Sequence, residues 1–199
     1  PEWRNRFRST SFHNTVVIDY QEQNRFNNHN LFFLEDDAEC KVNLWKTTER
    51  YDFLDAEHCG YKRLENAVIH RRHFFFNKKE SYWIIKDILT WTGWHTFDLY
   101  FHISNNVNYK VDKDSLVVTI IAKDNVKLRI IPLLREDLGL FFEDGWISKG
   151  YGQKTKSAVL RYSKAVNIPA EFLFVITKRD VDYSLEEINS IIETMTNKE

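Results

Sequence analysis

The feature that most constrains this chain is the cadence of its β-forming runs. Segments 15–20, 31–35, 40–47, 67–76, 82–89, 96–103, 115–122, 126–134, 138–142, 156–162 and 171–177 are rich in Val, Ile, Phe, Tyr, Trp and Thr. These residue types suit a pleated, half-buried surface. Turn formers stand between the runs, as at Ser104-Asn105-Asn106 and at 112–114. Runs recurring roughly every ten to fifteen residues, with few gaps able to hold a helix, predict an all-β fold: an antiparallel two-layer β-sandwich of about a dozen strands. Val126, Leu128 and Ile130 alternate with Lys127 and Arg129, the pattern of a half-solvated strand. Over 116–121 apolar residues occupy both parities, which predicts a central strand covered on both sides. The C-terminus breaks the pattern. Ser184 with Glu187 three residues on forms a capping box, and Leu185, Ile188, Ile191, Ile192 and Met195 follow helical spacing, so a single amphipathic helix is expected over 184–196.

At 199 residues the chain fits one domain with a substantial core. The net charge of −1 supplies no field to draw nucleic acid or an anionic membrane. No apolar run approaches the ~18 residues of a membrane span. Cys40 and Cys59 lack metal-ligand spacing and could be free or paired. The first residue is Pro, not Met, so the chain is expected to be a piece of a longer polypeptide. An active site shared with a missing domain would then be present only in part.

The chemistry-bearing residues gather near the start, in 7–19, where Arg8, Ser9, Thr10, Ser11, His13 and Asn14 lead into an apolar strand. Polar groups there must be hydrogen-bonded, solvated or metal-bound. Capping hydroxyls at the start of a strand account for much of the pattern. The seven histidines show no zincin spacing, and there is no Cys-x-x-Cys, nucleophile elbow, P-loop or dinucleotide fingerprint. Distant strands of a sandwich could still bring a His/Asp/His group together with an open position, which would suit zinc. His70-Arg71-Arg72 lies inside another β run, its two arginines alternating faces. One could fix a carboxylate or sulfate by paired hydrogen bonds. Exposed Trp91, Trp94 or Trp146 could stack on sugars, although aromatics at this density usually serve the core.

Several of these segments, in order, resemble the C-terminal domain of heparinase II/III-like proteins. The matching pieces are residues 1–10 with His13-Asn14-Thr15-Val16-Val17-Ile18-Asp19, then His58-Cys59-Gly60-Tyr61-Lys62-Arg63-Leu64 followed by His70-Arg71-Arg72. Tyr82-Trp83-Ile84-Ile85-Lys86-Asp87, His95 with Phe101-His102, and Gly145-Trp146-Ile147-Ser148 with Tyr151-Gly152 continue the match. Tyr20 stands where the family often has Gly, and Cys59 where it often has Asp. The resemblance implies an antiparallel sandwich that follows an N-terminal α-helical toroid, with the active site between the two. It implies a polysaccharide lyase acting on an acidic, uronate-containing polymer such as heparan sulfate or alginate, in the periplasm or outside the cell. The family's catalytic Tyr and Asn normally come from the toroid, so the domain alone is expected to be inactive. His13, Arg8 and Arg71 would stabilise charge at the domain boundary, and Trp94 and Trp146 would bind substrate. Several relatives hold a metal with the His of the His-Asn-Thr motif, an Asp and a second His. His13 matches the first, Asp36 or Asp37 the second (Asp37 is preferred), and His70 the third, with zinc as the favoured ion. The alternative is a non-catalytic carbohydrate-binding or structural module.

Overall fold

The computed structural model describes residues 2–27 and 29–196. Helix α1 (Glu2–Arg8) and a 3-10 turn (Thr10–Phe12) precede β1 (Val16–Ile18). Then follow β2 (Lys41–Thr47), β3 (Tyr51–His58), β4 (Val68–Asn77), β5 (Tyr82–Trp91) and β6 (Trp94–His102). The chain continues through β7 (Asn108–Val111), β8 (Val118–Ile121), β9 (Lys127–Pro132), β10 (Gly139–Ile147), β11 (Thr155–Asn167) and β12 (Ala170–Thr177) to helix α2 (Leu185–Thr196). One sheet has four strands in the order β1-β6-β11-β10, and the other has eight in the order β2-β3-β4-β5-β12-β9-β8-β7. Every pairing is antiparallel. The expected two-layer sandwich is the fold.

The main core lies between the sheets. Val16, Ile18, Phe97, Leu99, Phe101, Leu160 and Tyr162 of the small sheet meet Val68, Leu89, Phe172 and Phe174 of the large one. A second core lies where α2 covers the outer face of the large sheet, and it joins Ile188 and Ile192 to Phe53, Phe75, Ile84, Leu173 and Val175. Ser184 caps α2 as its sequence implies, its Oγ accepting the Glu187 N–H at 3.1 Å.

Four expectations need correction. Helix α1 is a second helix, short and without a fully buried residue. It is held by Glu2–Arg6 at 3.0 Å and Trp3 against Phe7, both four apart. Run 31–35 is no strand and contributes a single bridge, Phe26 to Leu34. The cause is local: Asn27 Oδ1 accepts the N–H of His29 and Asn30, and Asn30 Oδ1 accepts that of Phe32. Such side-chain turns compete with ladder hydrogen bonds. Strand β3 has no counterpart among the expected runs, because Asp52, Asp55 and Glu57 make it look solvated. Each acid meets a base from a neighbouring element: Lys78, Arg71 and Lys41 respectively. Strand β8, expected to be central and doubly covered, lies one strand from the edge because β7 is the outermost, and only Val118 is fully buried. Both cysteines are free thiols.

Candidate functional site

The sharpest concentration of ordered polar groups surrounds the approach to β1. Glu22 organises it. One carboxylate oxygen accepts the Thr10 N–H at 2.6 Å and the Thr10 hydroxyl at 2.7 Å, and the other accepts the Ser9 hydroxyl at 2.6 Å. Thr10 is buried, and its Oγ1 also accepts the Gln23 N–H at 2.9 Å. The turn so fixed carries His13 to the surface, exposed, with its own N–H on Thr10 O at 3.2 Å.

The next residue is clamped from two strands. Arg72 of β4 donates to Asn14 O at 2.7 Å, and the Asn14 Oδ1 accepts the His102 N–H of β6 at 2.8 Å. His102 Nε2 lies 2.9 Å from Ser11 O, so it carries the proton and Nδ1 is left as an acceptor. Burial lowers the His102 pKa, keeping the ring neutral at pH 7.

Behind the clamp runs a buried polar chain. Arg72 grips Asp87, which is fully buried, through Nε at 2.6 Å and Nη2 at 3.0 Å. Asp87 also takes His70 Nε2 at 2.5 Å, and His70 Nδ1 lies 3.0 Å from His58 Nε2. The Gly60 N–H points to His58 Nδ1 at 3.3 Å. That contact makes Nδ1 the acceptor and places the His58 proton on Nε2. His58 then donates to His70, and His70 donates to Asp87. Every member is satisfied, as a buried network must be. Burial dominates at His58 and pushes its pKa down to about 3, with the neighbouring His70 and Arg72 acting the same way. At Asp87 burial opposes ionisation, but Arg72 and His70 outweigh it and hold the carboxyl well below its usual range.

His13 opens into a pocket of about 380 Å³ shared with Phe7, Arg8, Thr10, Gln23 and Asn24. Arg8 donates to Asn5 Oδ1 and Phe33 O, both at 3.0 Å. Its Nη2 is buried and has no hydrogen-bond partner among the described residues. The guanidinium also lies 5.0 Å over the Phe26 ring, so Arg8 is fixed as a positive charge beside the pocket.

The structure thus brings Arg8 and His13 together and places the other expected site residues elsewhere. Arg71 lies on the opposite face of β4, engaged with Asp55 through two nitrogens. Its neighbour Arg72 is the arginine that reaches the His13–Asn14 turn. Both arginines bind a carboxylate of the protein itself, Asp55 and Asp87 respectively. Asp37 is occupied by Arg25, whose side chain spans both carboxylate oxygens and whose N–H binds one at 2.8 Å. Both His70 nitrogens are engaged as described. His13, Asp37 and His70 therefore do not form the expected ligand set. Among the described residues no three His, Cys, Asp or Glu side chains group as a metal ion requires. Trp94 is exposed at the β5–β6 turn, at the end of β6 away from His102. Eight strand steps separate the two, about 26 Å. Trp146 packs edge-on to Trp3, 5.2 Å between centroids.

Glu22 and Asp87 were missed, and of the two arginines Arg71 was preferred over Arg72. Asp87 carried a signal, because a lone carboxylate inside the apolar run 82–89 needs a buried partner. Glu22 carried none, since its role depends on a turn that only the fold closes.

Comparison with known proteins settles the lineage of this arrangement. The family described as "Heparinase II/III-like, C-terminal" matches residues 1–184. The chain belongs to that family. Its fold is similar to heparan sulfate lyase HepC from Pedobacter heparinus, with a TM-score of 0.73 and 20% identity over 88% of this chain and 25% of that one. It is also similar to the heparinase III that is the BT4657 gene product (TM-score 0.70, 20% identity, 88% and 25% covered). A further heparinase III structure gives a TM-score of 0.68 at 16% identity, with 88% and 24% covered. The chain spans about a quarter of the length of these solved structures. No curated protein matches it. As a heparinase II/III-like C-terminal domain, it carries its most ordered polar turn at His13, at the edge of the small sheet. No described helix is long and apolar enough to cross a membrane.

Proposed function

We propose that this domain forms the sandwich-side wall of a polysaccharide lyase site that cleaves a uronate-containing polymer by β-elimination. The substrate classes are heparan sulfate-like and alginate-like polymers. The observation that carries the reading is that Arg8 and His13 line one pocket. Elimination removes the proton at C5 of the uronate, forms the C4=C5 double bond and breaks the C4–O4 bond, with a proton delivered to the departing O4. Charge accumulates on the uronate carboxylate as C5 loses its proton. An N–H donor already fixed in place stabilises that charge without reorganisation. Arg8 supplies a fixed positive charge there, and the exposed His13 supplies a ring N–H on a turn held by Glu22, Arg72 and His102. The base that takes the C5 proton and the acid that protonates O4 come, in this reading, from a preceding helical domain of the full-length parent. The domain alone therefore positions charge without a base, and such incomplete sites lose most of the rate.

The test follows absorbance of the unsaturated uronate product with heparan sulfate and alginate as substrates. In the parent, His13→Ala and Arg8→Ala are each expected to lower turnover by about 10²-fold or more, the scale of losing one key acid/base or electrostatic group. Residues 1–199 alone are expected to release no product. Rapid product formation by residues 1–199, or unchanged turnover in both parent variants, would overturn the reading.

A further inference from the structure

A second groove, of about 690 Å³, lies between α1 and the turn joining β10 to β11. Its walls are aromatic: Trp3, Phe7, Phe32 and Tyr151, the last two largely exposed. Its charged groups are Arg4 and Lys154, and no lining residue carries a carboxylate. Lys154 Nζ sits 3.2 Å from the Trp3 ring centroid and 4.9 Å from that of Trp146. The Arg4 guanidinium lies 4.0 Å over Phe32, oriented by its Nε donating to Leu31 O at 2.7 Å. The volume falls within the range of small-ligand sites, roughly 300–1,000 Å³. Aromatic faces with adjacent cations suit a ring that has an apolar C–H face and an anionic substituent. Phe7 lines both this groove and the His13 pocket, so the two are neighbours.

We propose that this groove is a sugar-binding subsite for an anionic pyranose residue next to the one held at His13. The exposed Tyr151 would stack on the sugar ring, and Arg4 together with Lys154, which is seated on the Trp3 face, would bind its carboxylate or sulfate. Trp146 braces Trp3 from the side. The subsite rests on the lyase reading for its place along the polymer, while its binding chemistry stands on the groove alone.

The test uses residues 1–199 with three probes: a heparin-derived hexasaccharide, an alginate hexasaccharide and neutral cellohexaose. Binding is read from tryptophan fluorescence and from the indole N–H resonances of Trp3 and Trp146. At least one anionic probe is expected to bind saturably, shift both indoles and weaken as salt rises, while cellohexaose does neither. Trp3→Ala and Lys154→Gln are each expected to weaken binding about tenfold, the scale of one desolvated cation or aromatic contact. Lys154→Gln keeps most of the side-chain stem, so it reports on charge even where Trp3→Ala loosens α1. Absence of binding by either anionic probe, equal binding of cellohexaose, or full affinity in both variants would overturn the proposal. So would a parent chain whose Trp3 indole is already shifted and unresponsive to sugar, because another segment would then fill the groove. Product release in the parent is measured separately. The lyase reading can thus fail while the subsite binds, and the subsite can fail while the parent cleaves.

Discussion

Tyr20 sits in a conformation that its side chain disfavours. Asp19 and Tyr20 both have positive φ, 49° and 59°, in a two-residue turn closed by the Gln21 N–H on Ile18 O at 2.9 Å. That geometry is the primed hairpin turn, which favours Gly at its second position. The left-handed region costs a non-Gly residue roughly 1–2 kcal/mol, against about 0.5–1 kcal/mol of chain entropy that Gly loses on folding. Tyr20→Gly is therefore expected to stabilise the domain by about 0.5–1 kcal/mol, since the ring is largely exposed and little packing is lost. A lower urea midpoint for the variant would show that the ring contributes more than the turn costs. Glu22 behaves in the opposite way. Glu22→Ala removes both acceptor oxygens and leaves the Thr10 N–H and the Ser9 and Thr10 hydroxyls without that partner. A loss of about 1–3 kcal/mol is expected, the cost of a buried polar group left unpaired. Denaturant unfolding measures it, and an unchanged midpoint would mean that water replaces the carboxylate without cost.

At the level of elements, α2 is the clearest case of a local signal that the fold honours. The capping serine, the start of the helix and the buried Ile188 and Ile192 all follow from a short stretch of sequence. Ile188 is fully buried against the outer face of the large sheet, so Ile188→Ala should cost about 2–5 kcal/mol. Amide exchange in α2 should rise with it, whereas slow exchange throughout α2 would show the helix held by other contacts. The strands were legible where alternation or apolar runs were strong, as in β4, β5, β6 and β12. They were illegible where tertiary pairing overrode composition. Strand β3 is stabilised by bases that arrive from β2, β4 and the β4–β5 turn, and no pattern within residues 51–58 announces them. The site divides the same way. Arg8 and His13 are neighbours along the chain and line one pocket, whereas the expected union of His13, Asp37 and His70 required three distant segments to meet. Arg25 and Asp87 bind the second and third of those residues instead.

For the whole molecule, buried and half-buried histidines set how the fold responds to acid. Burial depresses the pKa of His58 to about 3 and lowers those of His73 and His102 below the ordinary 6.5. In the unfolded chain these rings titrate normally. Between pH 6.5 and about 3 the unfolded state therefore binds protons that the folded state refuses, so stability is complete above 6.5 and falls as pH drops below it. The carboxylates add a second stage. Asp37, Asp55 and Asp87 are held below their ordinary value by Arg25, by Arg71 and by Arg72 with His70, respectively, so their contribution is lost only as pH falls through about 4. Both stages have the same sign, but only the histidine stage operates near pH 6. Each ring that stays unprotonated in the fold adds a slope of about 1.4 kcal/mol per pH unit. Urea midpoints at pH 7.5, 6 and 5 are thus expected to decline well before the carboxylates titrate. His58→Gln should flatten that decline by about one proton's worth, because glutamine carries no titrating group into the His70–Asp87 chain. Equal midpoints at pH 7.5 and 5 would mean that the buried rings admit water and protons freely, and the His58–His70–Asp87 chain would then lie open to solvent in solution.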